Sequence, residues 1–188
     1  MVFAMPVNAP NLITICRILL VPLTIWLILS GAYVLAFGAF ILAGLSDAVD
    51  GFLARRFRLQ TELGEILDPI ADKALLVSIF VALGIQGHLP AWLVILVATR
   101  DVLIVGAVVI SWFMERPVPM KPLWISKVNT TGQILLAGAT LAALGFGLEI
   151  DTLLTAGIAA TAALTTASGA IYLRNWTRHM SGGQGDRV

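Results

Sequence analysis

The chain has 188 residues, of which 59% are hydrophobic and 12% are charged, and its formal net charge is +1. Its mean hydropathy of +0.93 is too high for a soluble domain of this size, so we expect an integral membrane protein. The near-neutral net charge argues against a nucleic-acid partner, because the chain has no overall basic excess to neutralise phosphates. The single cysteine, Cys16, cannot form an intramolecular disulfide.

Six apolar segments have close to the roughly 20 residues that cross a bilayer as a helix. The chain is therefore predicted to be all-α, an integral membrane bundle of six transmembrane helices. The predicted spans are 12–30, 33–54, 67–86, 91–113, 126–147 and 152–173. Residues 1–180 are predicted to form a single membrane domain, and the Gly-rich, polar tail at 181–188 is predicted to be disordered.

Lysine and arginine are distributed unevenly among the predicted connections. They occur after the second and fourth helices and in the C-terminal tail, whereas the connections after the first, third and fifth helices contain neither. By the positive-inside rule, the connections that contain them are cytoplasmic. Both termini are therefore predicted to lie on the cytoplasmic side.

Four of the seven aspartates lie close together in the chain. Asp47 and Asp50 are three residues apart and Asp68 and Asp72 are four apart, so on helices each pair lies on one face. Carboxylates at membrane depth each cost about 2.5–3.5 kcal/mol, which calls for a compensating cation. Hard divalent ions prefer oxygen ligands, and two carboxylate pairs on facing helices can hold two such ions about 3.5–4 Å apart, as in phosphoryl transfer. The alternative is that Asp68 caps a helix with Pro69 at its first position, while the other three lie in solvated loops.

The residues around these aspartates form a longer pattern that resembles the signature of the CDP-alcohol phosphatidyltransferases. All eight signature positions agree in Asp47-x2-Asp50-Gly51-x2-Ala54-Arg55-x8-Gly64-x3-Asp68-x3-Asp72. The resemblance implies a membrane enzyme that cleaves the pyrophosphate of a CDP-alcohol, usually CDP-diacylglycerol. Such an enzyme passes the phosphatidyl group to a hydroxyl and releases CMP without a covalent enzyme intermediate.

The resemblance also implies roles for the residues of this pattern. The four aspartates would bind two divalent ions, Mg²⁺ or Mn²⁺, and Asp72 would be the general base that activates the acceptor hydroxyl. The cytidine and its phosphates would occupy the space left by Gly51, Ala54 and Gly64, with Arg55 as a phosphate contact. For Gly51 and Ala54, plain helix packing through small residues is the alternative.

The start of the first predicted helix, Pro10-Asn11-x2-Thr14-x2-Arg17, resembles the start of many bacterial members of this family. Asn11, Thr14 and Arg17 recur every three residues along one face, and the resemblance implies that this face borders the CDP-lipid. An interfacial arginine that extends its charge to water is the alternative.

The predicted location is the bacterial inner membrane, with the active site on the cytoplasmic side.

A second polar group occurs in the predicted fourth and fifth helices and the connection between them. Arg100 and Asp101 fall near the middle of the fourth helix, where charges are functional or paired. Together with Lys121, Lys127 and Asn129 they resemble the CMP-forming cardiolipin synthases. The resemblance implies that Arg100, Lys121, Lys127 and Asn129 bind the acceptor. The alternative is a basic loop that only sets the topology.

Two acceptors, one a phospholipid and the other a polyol phosphate, are compatible with the family. Glycerol 3-phosphate carries close to two negative charges and calls for several converging cations. Phosphatidylglycerophosphate synthases tend to have a second lysine at the position of Asn129 and a further basic residue near Ala107 and Val108. This chain has neither, so phosphatidylglycerol is the predicted acceptor and cardiolipin the product. Phosphatidylglycerophosphate synthase is the alternative.

Other classes and partners follow from the same residues. A small membrane transporter would show inverted repeats and broken helices, and an intramembrane prenyltransferase would have its aspartate motifs far apart; the sequence has neither pattern.

Besides CDP-diacylglycerol, the acceptor and membrane lipids, the family resemblance implies a second copy of the chain as partner. Gly138 and Ala142 offer a small-residue face for such a homodimer.

Overall fold

The computed structural model describes the backbone of residues 9–57, 62–113 and 124–181, and the side chains of residues 19–46, 73–107, 110–111 and 124–178. The described backbone is helical apart from short turns, and it contains no strand. Its helices are α1 (Ala9–Leu29), α2 (Tyr33–Phe57), α3 (Glu62–Ile85), α4 (Ala91–Phe113), α5 (Trp124–Phe146) and α6 (Asp151–Ser181). The prediction of an all-α fold is confirmed.

The helices coincide with the predicted spans in number and order, but five of the six are longer than predicted, most clearly α2, α3 and α6. α2 continues to Phe57, α3 begins at Glu62 and α6 ends at Ser181. The added turns are polar, so hydropathy alone could not find them. Because α3 begins before Asp68 and Pro69, the alternative that Asp68 caps the start of a helix is wrong. The tail at 182–188 lies outside the described residues.

Length and composition support a membrane span most clearly for α6. Its segment Asp151–Arg178 has a mean hydropathy of 1.4 and is long enough to cross a bilayer. In the described parts of α1, α2 and α3, shorter apolar stretches occur at Leu19–Leu29, Tyr33–Ser46 and Lys73–Ile85. By this test, one helix among the described residues is long and apolar enough to span a membrane, and the six predicted spans stay a prediction.

Many large apolar side chains point outward while polar side chains are buried. Val102 is 70% exposed and Trp26 is 61% exposed, whereas Asn129 and Thr165 are fully buried. In water this distribution would leave apolar surface solvated and polar groups enclosed, the reverse of the usual preference. The arrangement fits an apolar surrounding.

Contacts between Cα atoms divide the chain into two compact units. Unit 1 contains residues 1–88 and 137–149, and unit 2 contains residues 89–136 and 150–188. In unit 1, α1 packs against α2 and α3, and Ile28, Ile79 and Leu83 are fully buried. In unit 2, α4 packs against α6, and Leu93 and Val97 of α4 are buried. That residues 1–180 form a single domain stays a prediction.

The two turns at one end of unit 1 are joined by side chains. Each turn contains a glycine with positive φ two residues after its helix ends, Gly31 at 74° and Gly87 at 76°, a conformation that glycine adopts without steric strain. Gln86 Nε2 donates to the carbonyls of Ile28 and Leu29 at 3.2 and 3.0 Å, which satisfies backbone acceptors at the end of α1.

An aromatic pair connects the same two turns. The hydroxyl of Tyr33, the first residue of α2, lies 2.8 Å from Nε2 of His88. The two rings also meet edge to face, with centroids 5.3 Å apart. The turn after α1 and the turn after α3 are therefore joined by side-chain hydrogen bonds that start from each of them.

The last turns of α5 approach the start of α2 at backbone distance. A Cβ atom placed on Gly145 would lie 3.1 Å from the backbone nitrogen of Val34 and 3.2 Å from its Cα. Nearby, the rings of Phe37 and Phe146 meet edge to face at 5.7 Å. Glycine at 145 therefore permits this close approach, since a Cβ here would make tight contacts with backbone atoms, which cannot rotate away as a side chain can.

We expect Gly145→Ala to lower the thermal midpoint of the detergent-solubilised protein. The added methyl pushes α5 from α2, and overpacking of this kind costs about 1–3 kcal/mol, more than the roughly 1 kcal/mol that alanine gains over glycine in a helix. The matched control is Gly44→Ala, because a Cβ at Gly44 meets nothing within 4 Å. An unchanged or higher midpoint for Gly145→Ala would contradict the close approach.

Candidate functional site

The eight signature residues lie on two consecutive helices of unit 1. The second half of α2 carries Asp47, Asp50, Gly51, Ala54 and Arg55, and the first half of α3 carries Gly64, Asp68 and Asp72. Residues three or four apart in an α-helix lie within about 60° of each other around the axis, so each aspartate pair shares a helix face. α1 packs against both helices.

Their side chains lie outside the described residues, and the metal-binding, nucleotide-binding and general-base roles therefore stay predictions. Among the side chains that are described, no group of three His, Cys, Asp or Glu residues could hold a metal ion. Asn11, Thr14 and Arg17 lie in the first half of α1, in a helical segment whose side chains are likewise outside the described set. Their CDP-lipid role is also still a prediction.

Arg100 is the centre of a buried polar cluster in unit 2. Its side chain is 4% exposed, and Nη1 donates to the carboxylate of Asp101 at 2.6 Å. Nη2 donates to the hydroxyls of Ser126 and Ser168, each at 2.6 Å. The guanidinium thus joins α4 to α5 and α6, and its charge is balanced by the next residue in the chain.

These bonds explain how a buried arginine is stabilised. Hydrogen bonds to a charged group contribute about 1.5–3 kcal/mol each. The prediction that Arg100 and Asp101 are paired or functional is met by pairing. Loss of one partner of such a buried pair typically costs about 3–5 kcal/mol.

The other predicted acceptor residues do not all gather at Arg100. Asn129 is fully buried, and its Oδ1 accepts a hydrogen bond from Thr165 Oγ1 at 2.8 Å. Lys127 is exposed and lies two residues from Asn129, which is about 200° around α5, so the two occupy nearly opposite sides of the helix. Lys121 lies outside the described residues. The acceptor roles of these residues remain predictions.

Arg100 and Asn129 belong to a longer array that we call the polar row. Its members are Ser126, Asn129 and Gln133 on α5, and Thr161, Thr165 and Ser168 on α6. Arg100 links Ser126 to Ser168, and one turn away Asn129 bonds Thr165. Because the residue numbers rise on α5 as they fall on α6, the two helices run antiparallel here. The same register places Gln133 at the level of Thr161.

Three buried N–H donors in the described part of unit 2 have no hydrogen-bond partner. They are Arg100 Nε, Asn129 Nδ2 and Gln133 Nε2. A buried donor without a partner destabilises a fold by about 1–3 kcal/mol. All three are donors, so whatever satisfies them must supply oxygen acceptors.

Sequence reasoning assigned no role to the residues that position Arg100 or extend the row. Ser126 and Gln133 are polar residues in a predicted helix, but nothing in the sequence indicates which helix they meet. The available signal was spacing: the polar residues at 126, 129 and 133, and those at 161, 165 and 168, each follow the three- and four-residue steps of one helix face.

The far end of α6 is also tied to α4. Trp176 Nε1 donates to Ser111 Oγ at 2.9 Å, and that hydroxyl donates to the carbonyl of Ala107 at 2.7 Å. Ser111 is 1% exposed. Trp176 lies beyond the predicted span, which ends at residue 173, so the added turns of α6 still have a partner on α4.

Comparison with known proteins identifies the family. Residues 7–170 match the CDP-alcohol phosphatidyltransferase family, a range that includes the whole signature and the polar row. A protein of Rattus norvegicus named cardiolipin synthase (CMP-forming) is 36% identical over 89% of this chain and 61% of the relative.

Two further relatives have other names. CDP-diacylglycerol--glycerol-3-phosphate 3-phosphatidyltransferase 1, chloroplastic, of Oryza sativa subsp. japonica is 39% identical over 76% of this chain and 48% of its own length. A Mycobacterium tuberculosis protein named probable phosphatidylglycerophosphate synthase is 30% identical over 93% of this chain and 84% of its own. The chain spans about half to three fifths of the rat and rice relatives. With the family match covering most of its residues, the chain belongs to the CDP-alcohol phosphatidyltransferases.

Proposed function

We propose that this protein transfers the phosphatidyl group of CDP-diacylglycerol to phosphatidylglycerol, which yields cardiolipin and CMP. The observation that carries the proposal is the complete eight-residue signature, which falls on α2 and α3 within the segment that matches the family. The rat relative named cardiolipin synthase (CMP-forming) supports this choice within the family. The same match disfavours the transporter and the intramembrane prenyltransferase.

The reaction requires the protein to lie where its lipid substrates are. We propose that all six helices cross the membrane, with both termini and the signature on the cytoplasmic side of a bacterial inner membrane. The apolar outer surface and the buried polar row support membrane embedding, and the lysine and arginine distribution supports the orientation. A cytoplasmic site would release CMP into the compartment where CTP is used.

The chemistry of the signature fits divalent cations. Asp47, Asp50, Asp68 and Asp72 would contribute four negative charges and only oxygen donors, the ligand type that Mg²⁺ and Mn²⁺ prefer. Two such ions would balance that charge. When bound, the metal supplies electrostatic stabilisation of the charge that develops on the phosphate oxygens.

The remaining signature residues then have separate tasks. Asp72 takes the proton of the acceptor hydroxyl, and the resulting oxygen attacks the lipid-bearing phosphorus. The bond from that phosphorus to the bridging oxygen breaks, and CMP leaves with the electron pair. Arg55 contacts the phosphates, while Gly51, Ala54 and Gly64 leave room for the nucleotide.

The acceptor is proposed to bind at Arg100, Lys121, Lys127 and Asn129, with Asn11, Thr14 and Arg17 bordering the CDP-lipid. The structure supports the less charged acceptor, because the charge of Arg100 is already balanced by Asp101. A phosphodiester lipid needs fewer free cations than a phosphomonoester. We further propose that the protein works as a homodimer.

Phosphatidylglycerophosphate synthase is the second candidate. The rice relative is named as a transferase to glycerol 3-phosphate, and the Mycobacterium tuberculosis relative as a phosphatidylglycerophosphate synthase. Glycerol 3-phosphate would use the same signature and the same leaving group. The two candidates therefore differ only in the acceptor.

The first prediction concerns the metal ligands. Asp47→Asn, Asp50→Asn and Asp68→Asn are each expected to abolish CMP release from CDP-diacylglycerol at ordinary Mg²⁺ concentration, because each removes a charged oxygen ligand. Raised Mg²⁺ or Mn²⁺ is expected to restore part of the activity in at least one variant. Asp151→Asn, at the exposed start of α6, is the control and retains full activity. Full activity in a signature variant would remove that residue from the metal set.

The second prediction separates the base from the ligands. Asp72→Asn is expected to bind CDP-diacylglycerol with nearly unchanged affinity and to transfer at least about 10²-fold more slowly, the usual effect of losing a positioned base. Calorimetry measures the binding and lipid-product formation measures the rate. A collapse of nucleotide affinity together with the rate would make Asp72 chiefly a metal ligand.

The third prediction identifies the acceptor. With saturating CDP-diacylglycerol and Mg²⁺, cardiolipin is expected to form faster from phosphatidylglycerol than phosphatidylglycerophosphate forms from glycerol 3-phosphate. Thin-layer separation of the products measures both rates in the same preparation. Faster formation of phosphatidylglycerophosphate would select the second candidate.

A further inference from the structure

The three unpartnered donors of unit 2 follow one another along the polar row. Arg100 Nη2 reaches the hydroxyl of Ser126, Asn129 lies one turn further along α5, and Gln133 lies one turn beyond Asn129. From Ser126 to Gln133 the helix rises by about 10 Å. Arg100, Asn129 and Gln133 are 4%, 0% and 1% exposed. The donors therefore form a line inside the unit.

A purely structural network would be expected to use these donors. The side-chain oxygen of Asn129 accepts a hydrogen bond from Thr165, while its amide nitrogen has no acceptor. Arg100 makes three hydrogen bonds through its two terminal nitrogens, which fix the guanidinium and leave Nε open. Buried polar groups in native proteins nearly always have partners, so a line of three open donors points to a ligand with several acceptor atoms or to several waters.

We propose that this line binds the glycerol phosphate unit of the acceptor, and that Gln133 recognises its central hydroxyl. The inference rests on the proposed function. Arg100 Nε is the one charged donor of the three and suits a phosphate oxygen, whereas the amides of Asn129 and Gln133 are neutral donors that suit hydroxyl oxygens. Helical side chains lean towards the N-terminus of their helix, so the long side chain of Gln133 extends towards the level of Asn129.

This assignment explains why the row contains amides rather than further cations. The central hydroxyl of glycerol is uncharged and does not react, so a neutral donor can hold it while the terminal hydroxyl stays available for attack. The same glycerol phosphate unit occurs in phosphatidylglycerol and in glycerol 3-phosphate. Ser126 and Ser168 are positioning residues in this scheme, because they orient Arg100 and do not meet the acceptor themselves.

The test uses the full chain in detergent micelles and the Gln133→Met variant, which keeps the side-chain volume and removes the amide. We expect the KM for the preferred acceptor to rise about tenfold, the factor that corresponds to about 1.4 kcal/mol. The KM for CDP-diacylglycerol is expected to stay within about twofold. Both phosphatidylglycerol and glycerol 3-phosphate are assayed, so that the lipid and the free phosphate are distinguished as sources of the unit.

A second acceptor reports on the hydroxyl directly. Phosphatidyl-1,3-propanediol keeps the terminal hydroxyl and lacks the central one. The unaltered protein is expected to prefer phosphatidylglycerol over this analogue by about tenfold, and Gln133→Met is expected to lose that preference. Where glycerol 3-phosphate is the preferred acceptor, 3-hydroxypropyl phosphate replaces the lipid analogue. If Gln133→Met does not fold, Gln133→Glu keeps the shape, replaces the donor by an acceptor and is held to the same result.

The control is Thr131→Val on the same helix, because the exposed Thr131 hydroxyl donates to the carbonyl of Lys127 within that helix and not to the polar row. It is expected to change neither KM.

A Gln133 variant with unchanged acceptor KM and unchanged preference overturns the inference while the proposed function stands. A parallel loss of thermal stability and of both substrate affinities makes Gln133 structural and also overturns it. If the unaltered protein releases no CMP with any acceptor, the proposed function and this inference fall together.

Discussion

A guanidinium enclosed by three helices has to find its hydrogen bonds on those helices, and this constraint organises unit 2. Arg100 supplies donors from α4, and serines of α5 and α6 accept them. Each bond fixes the rotation of one helix about its axis, because a turn of a few tens of degrees would carry the hydroxyl out of range. The register of the polar row follows from that alignment, since Asn129 and Thr165 meet one turn away.

The packing around the row follows from the same arrangement. Small residues bring α5 and α6 close enough for short side chains to bond: a Cβ on Gly132 would lie 3.2 Å from Leu164, and one on Gly157 would lie 3.1 Å from Leu136. In an apolar surrounding, helices gain little from burying aliphatic side chains against one another, so close approach and interhelical hydrogen bonds determine specificity. Buried serine and threonine and exposed leucine and valine are the expected result.

The sequence was sufficient for the number and order of the helices and for recognising the family signature, because both depend on local pattern. Apolar length located all six helices, and spacing showed that each aspartate pair shares a face. The ends of α2, α3 and α6 were missed, since those turns are polar and hydropathy does not register them. The partners of Arg100 could not be predicted, because Ser126 and Ser168 lie 26 and 68 residues away and meet it only in the folded chain. Likewise, spacing showed that Lys127 and Asn129 are near in the chain, whereas burial shows that one is exposed and the other enclosed.

The tied turns of unit 1 limit how that unit can open. α1 and α3 end at these turns and α2 begins there, so all three helices share one fastened end, while the signature aspartates lie towards the opposite end of α2 and α3. A substrate with two acyl chains, as proposed above, would need space between these helices to reach the signature. With one end held by these hydrogen bonds, the helices can separate most at the other end, which is the signature end. In the orientation proposed above, a lipid that diffuses laterally in the cytoplasmic leaflet would then meet the widest gap near its own head group.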